Sequence, residues 1–275
     1  MRRFILLIIA LTTLLPSLAF GYDVLVLQSR RNQAYDEVLK GFLFEKNRSV
    51  RMLVLSDYAE VDVDRIVRED RPKVILAVGD AALKAARKVQ QTPVVAVMAT
   101  DLHNRMATQR NLTGIALFAP PERYISMFET LKARRVGVLY NPAKSGWYLM
   151  LARKAAENAA IELVPREISA PGEAVEQLST LAGKVDALWM LPDTTAVTRE
   201  TAEAYFYFGQ QHTVPVVSFA ANYLKLGAAA VHEIDRVALG RQADAMIATL
   251  LKSTTIVSMP LDLTETTTLI TSPSR

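Results

Sequence analysis

Six short runs of this chain are almost wholly apolar: Tyr22 to Gln28 (YDVLVLQ), Val74 to Val78 (VILAV), Pro93 to Ala99 (PVVAVMA), Arg135 to Tyr140 (RVGVLY), Ala187 to Leu191 (ALWML) and Val214 to Phe219 (VPVVSF). A strand with one wet face alternates apolar and polar residues, whereas a strand covered on both faces reads as continuous Val, Leu and Ala. Such strands belong to parallel sheets, and parallel neighbours need a crossover, usually a helix. The intervening segments meet that need. Asn32 to Glu45 carries Tyr35, Val38, Leu39 and Phe42 at helical spacing, and the segment opened by Pro120-Pro121 carries Tyr124, Ile125, Phe128 and Leu131. Further helices are predicted over 61–69, 81–89, 147–160, 172–181, 198–211 and 235–252, with further strands over 50–55, 161–164 and 228–232. The order βαβαβαβ followed by αβαβαβαβ predicts an α/β protein of two parallel-sheet, Rossmann-like lobes. Residues 257–270 read as β-rich and Thr-rich.

The strands stop on polar or small residues, at Gly79-Asp80, Thr100-Asp101, Tyr140-Asn141, Asp193-Thr194 and Ser218-Phe219. Open α/β sheets present ligand-binding groups at the carboxyl ends of their strands. Two lobes facing each other across such ends form a pocket that can close on a small molecule. Asp80 and Asp193 have an equally ordinary reading as helix caps. The segment Pro93 to Gly114 carries most of the organisation. Its strand ends at Asp101, a polar loop follows, and Asn111 to Gly114 is read as the exit from the first lobe, with Asp101 on the hinge side of the pocket. Among the aromatics, Trp147 follows a strand-end loop and is placed to reach a ligand or to pack between lobes. The consecutive Tyr205 to Phe208 point in several directions on one helix and cannot form a single face.

Other chemistries lack their residues. With no cysteine there is no disulfide, thiol nucleophile or thiolate metal site. There is no GxGxxG and no P-loop, so no nucleotide cofactor is expected. Ser145 and Ser218 lack a GxSxG elbow, and His103, His212 and His232 have neither a serine partner nor metal-ligand spacing. Catalysis is therefore not expected. The first 21 residues read as a cleaved secretory signal, with Arg2 and Arg3 as the charged region, Phe4 to Leu15 as the apolar region and Ala19-Phe20-Gly21 at the cleavage point. Removing Arg2 and Arg3 takes the formal charge from +4 to +2 (4 minus 2), and the remaining basic residues are scattered rather than clustered. Nucleic acid is not an expected partner. A periplasmic, lipid-free monomer is.

Several segments in order, PVVAVMATD, NLTG, RVGVLYNPAKS, DALWMLPD, and VPVV followed by LGAAA, resemble the bacterial ABC-transporter substrate-binding proteins of the tryptophan and tyrosine type. The resemblance covers about Tyr22 to Leu251 and implies a type I periplasmic-binding fold, two lobes joined by three crossovers. It implies a pocket drawing on Ser29, Gly79, Asp80 and Asp101 from the first lobe and on Tyr140, Asn141, Ser145, Asp193 and Ser218 from the second. Small hydroxyls and helix N-termini would hold a carboxylate, and Asp193 would meet an ammonium. Trp147, Thr194 and Phe219 join the set from their positions at strand ends. The chain departs from the pattern at Leu102, where proline is usual, and at Asp80, where a small hydroxyl residue is common and a carboxylate would repel an acidic ligand. It also lacks the closing Asn-bearing segment and final helix common in the family. Lobe boundaries are expected at 22–116 plus 226–254 and 117–225 plus 255–275. The function implied is capture of a small amino-acid-like or aromatic ligand for an inner-membrane ABC permease. A sensory or partner-binding module on the same fold is the alternative.

Overall fold

In the first lobe the apolar runs become β1 (Val24–Gln28), β2 (Val50–Val54), β3 (Val74–Val78), β4 (Val94–Val97) and β5 (Leu112–Ala116). Between them lie α1 (Gln33–Phe42), α2 (Val63–Asp70), α3 (Asp80–Ala86) and α4 (Leu102–Met106) in this computed structural model, which describes residues 21–45, 48–252 and 259–272. The expected signal sequence lies outside the described residues. Every residue of β1, β3, β4 and β5 is buried, as continuous apolar runs require of central strands. The helices start where a side chain can take an orphan N–H. Asn32 accepts from the Ala34 amide at 2.8 Å and Asp62 from the Arg65 amide at 2.9 Å.

The second lobe repeats the scheme with α5 (Pro121–Thr130), β6 (Arg135–Tyr140), α6 (Pro142–Asn158), β7 (Glu162–Glu167), α7 (Ala174–Ser179), β8 (Ala187–Trp189), α8 (Arg199–His212), β9 (Val216–Ser218) and β10 (Ala230–Ile234). The chain then returns through α9 (Arg236–Lys252) to β11 (Asp262–Leu263), and ends its described part in β12 (Thr267–Thr271). The first sheet has the order β11-β5-β4-β3-β1-β2 and the second β12-β10-β9-β8-β6-β7. All pairs are parallel except β10 with β12.

The chain thus changes lobe three times: after β5, after β10 and between β11 and β12. Three expectations need correction. β10 pairs in parallel with β9 (Val231 opposite Ser218), so residues 230–234 belong to the second lobe rather than to a first-lobe segment 226–254. β11 pairs with β5 (Asp262 opposite Ile115), so it completes the first sheet rather than the second. The polar loop after Asp101 contains α4, and 112–116 is a full strand of the first sheet rather than an exit from it.

The crossovers are laced together. Thr264, fully buried, donates its amide to Phe118 O at 3.0 Å and its hydroxyl to Ala116 O at 2.7 Å, tying the third crossover to the first. At the second, Arg236 reaches Glu37 of α1 at 3.0 Å and Glu233 of β10 at 3.3 Å, one partner in each lobe. Although α9 follows a second-lobe strand, its Leu239, Ala243, Met246 and Ile247 fill the first-lobe core beside Val24, Val26, Val38 and Leu39. Each buried aliphatic there contributes about 1.5–3 kcal/mol. The α1–α9 crossing works only with glycine on both sides. A Cβ on Gly41 would lie 1.9 Å from Val237 O, and one on Gly240 would lie 1.9 Å from Val38 O.

Two expectations follow for stability. Gly240→Ala would gain helix propensity on an ordinary helix, but here the helices must separate. Urea denaturation should show a loss of about 1–3 kcal/mol, and a gain would contradict the crossing. The Asp23 carboxylate is lowered to about 2 by hydrogen bonds from Lys73 first and the Ser49 amide second, against partial burial that raises it. Its contribution to stability is present above the ordinary value of 3.8 and is lost as pH falls through that value toward about 2. Asp23→Asn should flatten the acid limb of the stability curve between those pH values. An unchanged limb would remove Asp23 from the account.

Candidate functional site

The carboxyl ends of the two sheets face each other, and between them lies a cavity of about 170 Å³. The first lobe lines it with Ala99 to Asn104, from the end of β4 into α4, and with Ala116 to Phe118 at the first crossover. The second lobe contributes Lys144 and Trp147 from the first turns of α6, Pro192 to Thr194 after β8, Val197, and Phe219 after β9. A larger concavity of about 1670 Å³ opens on the second lobe between α5, α8 and β12 and shares no lining residue with it. The smaller cavity is the candidate site, because both lobes build it and it sits where α/β sheets offer ligand contacts.

Asp193 organises the second-lobe wall. The residue is 2% exposed. Oδ2 accepts from the Asn141 amide at 2.8 Å and the Ser145 hydroxyl at 2.5 Å; Oδ1 accepts from the Thr195 amide at 2.8 Å and the Ala196 amide at 3.0 Å. A carboxylate has about four lone-pair positions, and all four are taken. Asp193 therefore does not await an ammonium, as the family pattern implied. It ties the end of β6, the first turn of α6 and the approach to α8 into one block, which is the capping reading extended to three elements. Asn141 completes the block, accepting from the Ala143 amide at 2.9 Å and donating to Thr195 Oγ1 at 3.3 Å.

The first-lobe wall is built the same way. Gly79 has a φ of 90°, and a Cβ on it would come within 2.7 Å of Ser29 Oγ and 2.5 Å of the Tyr35 hydroxyl. Ser29 Oγ donates to Val78 O and accepts from the Ala82 amide, both at 2.9 Å, so it caps α3. Asp80 accepts from the Thr100 amide at 2.8 Å and from the Thr100 hydroxyl at 3.1 Å to its second oxygen, joining the ends of β3 and β4. It is outside the cavity lining, one residue behind Thr100. Asp101 does line the cavity, paired with Arg105 at 2.9 Å and accepting from Asn104 at 2.8 Å.

The lobes touch through α4 and α6. The His103 ring stacks on Trp147 with centroids 4.6 Å apart and planes 4° from parallel, and Asn104 Nδ2 donates to Ala143 O at 2.6 Å. Trp147 thus packs between lobes while also lining the cavity. A stack and a neutral hydrogen bond are each worth about 1 kcal/mol, enough to bias the approach of the lobes without locking it.

Of the twelve residues expected at the site, Asp101, Trp147, Asp193, Thr194 and Phe219 line the cavity. Ser29, Gly79, Asp80, Asn141 and Ser145 stand behind its walls as capping and joining groups. Tyr140 is buried with its hydroxyl on Glu167 Oε1 at 2.7 Å; burial first, and that carboxylate second, raise its pKa. Ser218 is fully buried, and its hydroxyl has no partner among the described residues. Thr100 lines the cavity as part of the Thr100-Asp101 strand end singled out from sequence, whereas Asn104, Phe118 and Lys144 were not singled out, and His103 was given no role in catalysis or metal binding. Lys144 was detectable, lying inside the quoted YNPAKS motif, three residues past the Asn141 cap.

The family model for ABC transporter substrate binding proteins matches residues 56–274. The chain belongs to that family. A tyrosine-binding protein of Clostridioides difficile (strain R20291) is 21% identical over 212 residues, which is 73% of this chain and 61% of the relative. The chain therefore spans about three-fifths of the length of this curated relative. Among solved structures, the ligand-free, open form of a substrate-binding protein with adhesive properties from Clostridium difficile matches with a TM-score of 0.66 at 18% identity, covering 90% of this chain and 91% of that one. An ABC domain from Streptococcus pneumonia in complex with L-Trp matches with a TM-score of 0.60 at 18% identity, covering 91% and 92%. Both support the two-lobe, type I periplasmic-binding fold.

If Asp193 holds the second-lobe wall, Asp193→Ala leaves a buried hydroxyl, two buried amides and one half-buried amide without their acceptor. The loss should be about 3 kcal/mol or more by urea denaturation, against about 1 kcal/mol for Ser145→Ala. Equal, small losses would show that the wall does not depend on this carboxylate.

Proposed function

We propose that the protein is a periplasmic solute-binding protein that captures a small amino-acid-like or aromatic ligand between its lobes and delivers it to an ABC permease. The observation that carries this reading is the interlobe cavity, walled by both lobes at their strand ends and bridged by a weak His103–Trp147 contact. Family membership supports transport as the purpose, and the named ligands of the tyrosine-binding relative and the L-Trp complex support the ligand class. The apolar, Arg-led N-terminal segment supports export. The chemistry is non-covalent. A ligand that contacts both walls stabilises the approached lobes in proportion to its differential affinity for that state.

Thermal-shift measurements on the mature protein, across aromatic amino acids, aromatic acids and small amines, test capture. A true ligand at a hundredfold excess over its Kd should raise Tm by about 5–10 °C and alter Trp147 emission, a change lost in Trp147→Phe. No shift with any class would remove the reading's main support. Deleting the gene should abolish uptake of the ligand that binds. Normal uptake with a lost transcriptional response would instead assign the sensory role.

A further inference from the structure

The cavity is specific about charge. Three carboxylates stand at or near it, and each is already engaged by the protein's own groups, Asp193 completely and Asp101 and Asp80 in part. Asp193 has its four acceptor positions filled from its own lobe. Asp101 is neutralised by Arg105 and further held by Asn104. Asp80 is turned onto Thr100 and lies outside the lining. The cation is in the opposite condition. Lys144 Nζ donates to Thr194 Oγ1 at 2.8 Å, and among the described residues it joins no ion pair. An ammonium carries three donors, so two remain for a ligand. The rest of the wall is largely apolar, with Leu117, Phe118, Trp147, Val197 and Phe219 around the space.

Resting on the ligand-capture reading above, we propose that this site takes a small apolar monocarboxylate without an ammonium group, its carboxylate on Lys144 and its ring or short chain between Phe118, Trp147 and Phe219. The size agrees. An apolar cavity of about 150 Å³ holds one benzene ring, and this one is about 170 Å³. A zwitterionic amino acid would bring its ammonium beside Lys144, where Asp193 is filled by its own lobe and Asp101 is already paired with Arg105, and burying such a charge without a partner is costly.

Isothermal titration of the mature protein with benzoate, benzylamine and L-phenylalanine compares the same ring bearing an anion, a cation and both. Benzoate should bind at least about tenfold more tightly than either of the others, and Lys144→Met should weaken it by about tenfold or more, the size expected of one charge-assisted hydrogen bond. Lys144→Arg should retain most of the affinity, and the Tm of the unliganded variants should stay near that of the parent. Tighter binding of L-phenylalanine or benzylamine would overturn the anion assignment while leaving ligand capture intact. Benzoate affinity unchanged in Lys144→Met would overturn the role of Lys144. Absence of binding by all three overturns the assignment to a single-ring acid. If the aromatic amino acids and amines of the wider thermal-shift series also fail, the capture reading falls with it.

Discussion

The buried Asp193 carboxylate is the interaction on which the second half of the molecule, and therefore the cleft, depends. Parallel strands end in bare backbone groups, and where two lobes approach, those ends are withdrawn from water. A buried polar group left unpaired costs about 1–3 kcal/mol. Asp193 meets this by gathering three amides and a hydroxyl from three elements into one filled acceptor set. The consequence reaches the ligand. A carboxylate that builds the wall cannot also recognise an ammonium in front of it, so recognition passes to Lys144, one turn into the helix that Asn141 starts.

The first lobe solves the same problem with different groups. Ser29, Gly79 and Asp80 close the ends of β1, β3 and β4 by capping α3 and fixing Thr100. Rigid walls on both sides confine movement to the three crossovers, where Thr264 and Arg236 link segments of chain far apart in sequence. Among the described residues, the His103–Trp147 stack, the edge of Phe118 against Trp147 and the Asn104–Ala143 hydrogen bond join the walls across the cavity, with no ion pair between them. That combination, stiff walls with a light bridge, is what ligand-dependent closure requires.

Much of the fold was legible because burial on both faces leaves an unmistakable pattern. The runs at 74–78 and 135–140 became strands with the predicted bounds. The tail was harder. β10 and β11 are short, and nothing in AVHEI or DL states which sheet will receive it; that depends on pairing with residues more than a hundred positions away in the case of β11 and Ile115. α4 was hidden because five residues are too few for a single i, i+4 apolar pair, Leu102 and Met106, to stand out. At the site, sequence located the strand ends but not their allegiance. An aspartate at a strand end reads alike whether it faces a ligand or the backbone behind it, and only the donors around Asp193 and Asp80 distinguish the two. Lys144 escaped notice because a lysine at the start of an exposed helix is ordinary until its partner is seen to be a hydroxyl rather than a carboxylate.

The central claim is that the groups facing the space between the strand ends, rather than any other concavity, hold the ligand. The most direct measurement is a crystal structure of the mature protein with the molecule that co-purifies with it. The account predicts density bounded by Thr100, Lys144, Trp147 and Phe219, with the Asp193 donor set unchanged. Density in the larger groove beside Tyr207 and Leu269, with the interlobe cavity empty, would contradict it.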